Sequence, residues 1–109
     1  MQLEALMKLL VKKKTLYHLD LSWNNMVETR DTKKYVHSFV NSLRKLIMKS
    51  RIFHLDLTGM QLGSNVHRLV EPLRNCLNIC SLHLSNNAIP PEIKFYLDRA
   101  LKIPPEQYL

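Results

Sequence analysis

Apolar and polar positions alternate along three short stretches of the chain, at 16–26, 52–62 and 79–89. Leu19 and Leu21 alternate with His18 and Asp20 in the first. Leu55 and Leu57 alternate with His54 and Asp56 in the second, and Leu82 and Leu84 with Ser81 and His83 in the third. A period of two marks a half-buried strand, so strands are expected near 17–21, 53–57 and 80–84. Elsewhere the apolar positions recur at helical spacing. They are Leu3, Leu6, Leu9 and Leu10 over 2–14, then Val36, Phe39, Val40, Leu43, Leu46 and Ile47 over 31–49. Val66, Leu69, Val70, Leu73 and Leu77 follow over 65–77, then Ile93, Leu97, Ala100 and Leu101 over 91–102. Asp31 is placed to cap the second helix and Ser64 or Asn65 the third. Pro72 predicts a kink or a shortening of that third helix, and Pro91 suits the first position of the fourth. A tail over 104–109, holding Pro104 and Pro105, is expected to be extended.

The three strand-like stretches align without gaps. Leu16, Leu19, Leu21, Asn24 and Met26 recur as Ile52, Leu55, Leu57, Met60 and Leu62, and again as Ile79, Leu82, Leu84, Asn87 and Ile89. Met60 alone departs from the pattern. LYHLDLSWNNM, IFHLDLTGMQL and ICSLHLSNNAI therefore resemble leucine-rich repeats. The intervals between them resemble the helix-containing, cytoplasmic (ribonuclease-inhibitor-like) class, with repeats similar to those of ciliary proteins and NOD-like receptors. The resemblance implies an α/β fold over 1–103: a short solenoid with three parallel strands on its concave side and helices on its convex side. In that family the motif asparagine is buried in the turn and bonds backbone there. Met60 cannot do so, and the neighbouring Gly59 and Gly63 suggest a different backbone path through the second turn.

Stacking such units sets like positions side by side. His18, His54 and Ser81 then form one outward row, and Asp20, Asp56 and His83 another. Ser22, Trp23, Thr58 and Ser85 extend the face at its downstream end. Family members use this face for partner contact, and histidines would make contact pH-sensitive. The competing readings are a plain solvated face and, least favoured, a metal site from His18, His54 and an aspartate, which flat rows do not converge to form. Trp23 is either an interface anchor or a residue packed on its own loop. Strand parity turns Tyr17, Phe53 and Cys80 partly inward.

Charge adds a second candidate surface. Lys and Arg number 16 against 9 Asp and Glu, for a net charge of +7. Lys12, Lys13, Lys14, Lys49 and Arg51 gather where helices give way to strands, backed by Arg44 and Lys45. Such a basic edge suits an acidic partner, such as a tubulin tail or nucleic acid. The plainer account is cations favourably ending helices. No aromatic interleaving of the kind that stacks bases accompanies them.

Composition narrows the rest. No apolar run approaches the roughly 20 residues that span a bilayer, and Glu4 and Lys8 interrupt the N-terminal apolar stretch in a way that a signal peptide does not. Two cysteines, Cys76 and Cys80, cannot form a disulfide framework and are expected as reduced, largely buried thiols in a cytoplasmic protein. With two glycines in the chain there is no phosphate loop, and no nucleophile elbow or zinc-protease motif occurs. The expected function is a non-catalytic protein–protein interaction module, a small scaffold subunit of a larger cytoplasmic assembly, with no cofactor and no metal. The resemblance points first to a ciliary axoneme and a tubulin-associated partner. The rival expectation is an electrostatic binder of nucleic acid or ribonucleoprotein through the basic edge. A regulator of an enzyme ranks lower, because three repeats offer little surface.

Overall fold

A computed structural model describes residues 2–13, 16–24, 32–49, 51–76, 78–101 and 105–109. Three residues named above, Lys14, Met26 and Asp31, lie outside that set, as do Leu77 and the start of the tail. The elements run α1 (Gln2–Leu10), β1 (His18–Asp20), α2 (Lys33–Lys49), β2 (His54–Asp56), a 3-10 helix (Gly63–Leu69) leading into α3 (Val70–Asn75), β3 (Ser81–His83), α4 (Pro91–Ala100) and α5 (Pro105–Tyr108). The fold is mixed α/β. The three strands form one parallel sheet in the order β1-β2-β3.

The core follows from the two periodicities. Leu19, Leu55 and Leu82 are in register across the sheet, and Leu21, Leu57 and Leu84 continue the buried side. Against them α2 sets Val36, Phe39, Val40, Leu43, Leu46 and Ile47, all buried, in a single apolar cluster that also holds Ile93 and Leu97 of α4. The helices contact one another in the order of the strands: α1 with α2, α2 with α3, and α3 with α4. The partners of the helix in each parallel crossover thus cover one side of the sheet, and the His, Asp and Ser side is left to solvent.

Three local expectations need correction. In α1 Met7 is buried, whereas Leu6 and Leu9 are exposed. The 3-10 helix begins at Gly63 with no side-chain cap; Ser64 and Asn65 lie inside it, and the Asn65 side chain donates back to the Leu62 carbonyl. The shortening expected at Pro72 is present: the α-helical part is only Val70–Asn75, with Pro72 in its first turn, and the residues before it take the tighter 3-10 form. The end of the chain is not extended: α5 packs on β3, the Leu84 N–H donates to the Tyr108 carbonyl at 2.6 Å, and Tyr108 is buried. Pro105 opens this helix as Pro91 opens α4, each at a position that needs no N–H.

The turns after β2 and β3 share one backbone path, contrary to the expectation for Met60. Gly59 and Asn86 have φ of 68° and 58°, and Gln61 and Ala88 have 56° and 50°; Trp23, after β1, has 61°. Only the chemistry at the next position differs. Asn87 is buried, and its Nδ2 donates to the carbonyls of Leu84 (2.9 Å) and Leu57 (2.8 Å), while its Oδ1 accepts the Leu62 N–H at 3.1 Å. Its own carbonyl takes the Gly63 N–H at 2.8 Å. One amide thereby holds its own turn and the turn before it. Met60 fills the same place with apolar bulk, fully buried.

Removing a buried amide that serves several backbone groups leaves them unsatisfied. Asn87→Ala is therefore expected to cost about 2–3 kcal/mol. Among the described residues Asn24 bonds only the carbonyls of Leu21 and Ser22, and it is exposed, so Asn24→Ala is expected to cost less than about 1 kcal/mol. Urea denaturation of the two variants beside the parent chain measures both.

Candidate functional site

The uncovered face of the sheet carries the polar rows in the expected register: His18 beside His54 beside Ser81, and Asp20 beside Asp56 beside His83. The His18 and His54 rings stack at 4.0 Å with planes 9° apart, and His83 follows at 5.2 Å from His54, tilted by 47°. His83 also lies 3.3 Å from the Ser81 hydroxyl. Parallel strands bring identical side chains this close, because neighbouring backbones stand only about 4.8 Å apart. Parallel rings point their nitrogens alongside one another rather than at a common centre. Among the described residues no group of three or more His, Cys, Asp or Glu is arranged to hold a metal ion.

Burial, then the neighbouring His18 and His83, holds the His54 imidazole below the ordinary histidine range. The Ser22 hydroxyl and backbone N–H both bond the Asp20 carboxylate, at 2.6 and 2.9 Å, and hold it below the ordinary aspartate range. Asp56 accepts the Thr58 N–H in the same way at 2.9 Å. The Asp-Leu-Ser and Asp-Leu-Thr segments thus form side-chain turns that end β1 and β2. This structural role was readable in the two-residue spacing, and the sequence reading missed it. The third unit has His83 at this position.

Trp23 is 68% exposed, yet one face of its ring lies on Gly59, where a Cβ would overlap the indole. It both packs on the adjacent turn and presents its other face to solvent. Ser22, Thr58 and Ser85 are half-buried beside it, on a backbone ladder that continues past the strands through Trp23 N–H to Thr58 and Gly59 N–H to Ser85.

Tyr17, Phe53 and Cys80 are exposed, not turned inward. The Tyr17 carbonyl accepts two successive N–H groups, from Phe53 and His54, and the Phe53 carbonyl likewise accepts those of Cys80 and Ser81. Two donors on one acceptor bend the chain at the strand entry, and the alternation fails there. Ile52 takes the buried place instead. The Cys80 thiol is accordingly exposed, 3.5 Å from the Phe53 carbonyl, and Cys76 is half-buried; both are free.

Lys12, Lys13, Lys49 and Arg51 are exposed at the edge where helices lead into strands. Lys49 closes the last turn of α2, where a cation complements the helix dipole. Arg44 does not join this edge. Its guanidinium donates to the Arg68 carbonyl, across to the 3-10 helix. A further exposed cluster had no expectation attached: Phe95 and Tyr96 on α4, with Arg99 lying 4.9 Å over the Phe95 ring and His67 edge-on to Tyr96 at 6.1 Å. Comparisons with protein-family models, with curated proteins and with solved structures find no match to this chain.

Two outcomes follow from this geometry. A histidine held below its ordinary value contributes stability above about pH 6.5 that is lost as pH falls through the folded value. Melting temperatures measured from pH 8 to pH 5 are expected to fall, and His54→Gln to flatten the slope. Gly59→Ala meets both a positive φ, which costs an alanine roughly 1–2 kcal/mol, and the indole. It is expected to lower the melting temperature and shift the emission of Trp23, the sole tryptophan, to the red.

Proposed function

We propose that the chain is a short leucine-rich repeat solenoid acting as a non-catalytic protein-interaction module, with its partner held on the open sheet face. The observation that carries this reading is the uncovered array of side chains in strict register: His18, His54 and Ser81 in one row, Asp20, Asp56 and His83 in the next, and Trp23 at the end. Repetition of the turn conformation at Trp23, Gly59 and Asn86 supports the repeat reading. So does the bonding of Asn87 to two successive turns.

The face suits a protein surface that offers donors and acceptors at strand spacing beside an apolar site for the indole. Asp20 and Asp56 are engaged in turns and the Ser81 hydroxyl in a bond with His83, so His18, His54 and Trp23 are the leading contact groups. A cytoplasmic assembly such as a ciliary axoneme is the setting that the family resemblance favours. Electrostatic capture of nucleic acid through Lys12, Lys13, Lys49 and Arg51 is the competing use of the molecule.

The test borrows residues from the chain's own third unit, which keeps the backbone path. His18→Ser copies Ser81, and Trp23→Asn copies Asn86. Proteins co-purifying from the native source are expected to be lost from this double variant and retained by a Lys12, Lys13→Ala variant. Loss from the lysine variant alone, with binding that falls steeply as salt rises, supports the electrostatic binder instead.

A further inference from the structure

Two arginines meet where α2 lies against the 3-10 helix. Arg44 of α2 donates to the Arg68 carbonyl. Arg68 reaches back along α2. One of its terminal nitrogens donates to the Asn41 side-chain oxygen, and the other lies 3.5 Å from the His37 backbone carbonyl. His37, Asn41 and Arg44 are spaced to share one face of α2. Each arginine is thus anchored on the element that bears the other. Both are half-buried, and these bonds restrict where their guanidiniums can lie.

Every one of these anchors is an uncharged oxygen. Neither α2 nor the 3-10 helix contains an Asp or Glu, and α2 adds Lys33, Lys34, Lys45 and Lys49. Burial, then the charge of Arg44, holds the Arg68 guanidinium below the ordinary arginine range. Both side chains remain cations at neutral pH. The first carboxylate further along the chain, Glu71 of α3, is not among the groups that act on Arg68. Two like charges held near each other on neutral anchors repel, and an anion beside both reverses the sign of that interaction. Donors for an anion are at hand. A guanidinium carries more N–H groups than these bonds use, and the Asn41 amide nitrogen donates to nothing among the described residues.

We infer that the Arg44 and Arg68 guanidiniums, with the Asn41 amide beside them, form a binding site for a terminal phosphate group. Such a group has three free oxygens and close to two negative charges. It can face one guanidinium with one pair of oxygens and still reach the other, with two cations to match its charge. A phosphodiester has two free oxygens and a single charge, so it satisfies only part of the same donor set. The site belongs to the helix layer and not to the open sheet face, so it does not depend on what that face binds.

The probe is inorganic phosphate, added to the intact chain near neutral pH with ionic strength held constant. The Nε–H signals of Arg44 and Arg68, read by nuclear magnetic resonance, are expected to shift together and to saturate with a Kd of about 1 mM. Arg68→Gln is expected to weaken binding at least about tenfold. Arg44→Lys keeps the charge but loses the planar fork, and is expected to weaken it about threefold or more. Lys12, Lys13→Ala removes two cations elsewhere and is expected to leave binding unchanged. A capped phosphoserine peptide separates the two sources of the group. Tighter binding of the peptide than of phosphate assigns it to a protein side chain, and tighter binding of phosphate assigns it to a free ion; either sustains the site. No saturable shift at about 10 mM phosphate overturns the inference. So does equal weakening in the lysine variant, or unchanged affinity in Arg68→Gln. Tighter binding of a short DNA strand that lacks a terminal phosphate also overturns it, because that marks a surface for polyanions. The shifts are read on the unaltered chain, so a variant that fails to fold leaves the test standing.

Discussion

The Asn87 side chain ties the second and third units of this molecule together. Strand pairing alone fixes register along the sheet, but the turns that follow the strands have left-handed residues and backbone groups with no ladder partner. A single buried amide satisfies groups in both turns at once. With the turns held, Leu57 and Leu84 stay on the buried side, and α2, α3 and α4 have a continuous apolar surface to cover. Position 60 shows the alternative solution. Met60 gives up the amide's bonds and gains packing, and the backbone path survives because its neighbours have the same φ values as the third turn.

The fold was legible wherever two periodicities were clean. Leucines two residues apart located β1, β2 and β3, and the spacing from Val36 to Ile47 located α2 residue by residue. Legibility failed where a backbone event overrode side-chain parity. The Tyr17 and Phe53 carbonyls each take two donors, and no pattern of residue types announces that. It failed again at α1, where Leu6 and Leu9 carry the pattern yet are exposed and Met7 is buried. At α5, two prolines suggested an extended tail although both the helix start and the burial of Tyr108 are compatible with them.

Of the candidate site, the rows were readable because register follows from aligning the motifs. The division of labour within them was not. Asp20 and Asp56 stand in the outward row as charge, and their carboxylates also close turns, so each charge is fixed in place by the chain that follows it. Trp23 combines two roles that sequence reading sets against each other, since one ring has two faces. The basic edge lost Arg44 to a backbone carbonyl across the helix layer, an interaction with a residue far away in sequence.

The stacked imidazoles have a consequence for how the open face charges. His54 has a ring on either side, and burial and those neighbours disfavour its charged form. The centre of the face therefore stays uncharged to lower pH than a free imidazole does. A neutral imidazole both donates and accepts a hydrogen bond, so the middle of the array reads as a polar group of either sense and not as a cation.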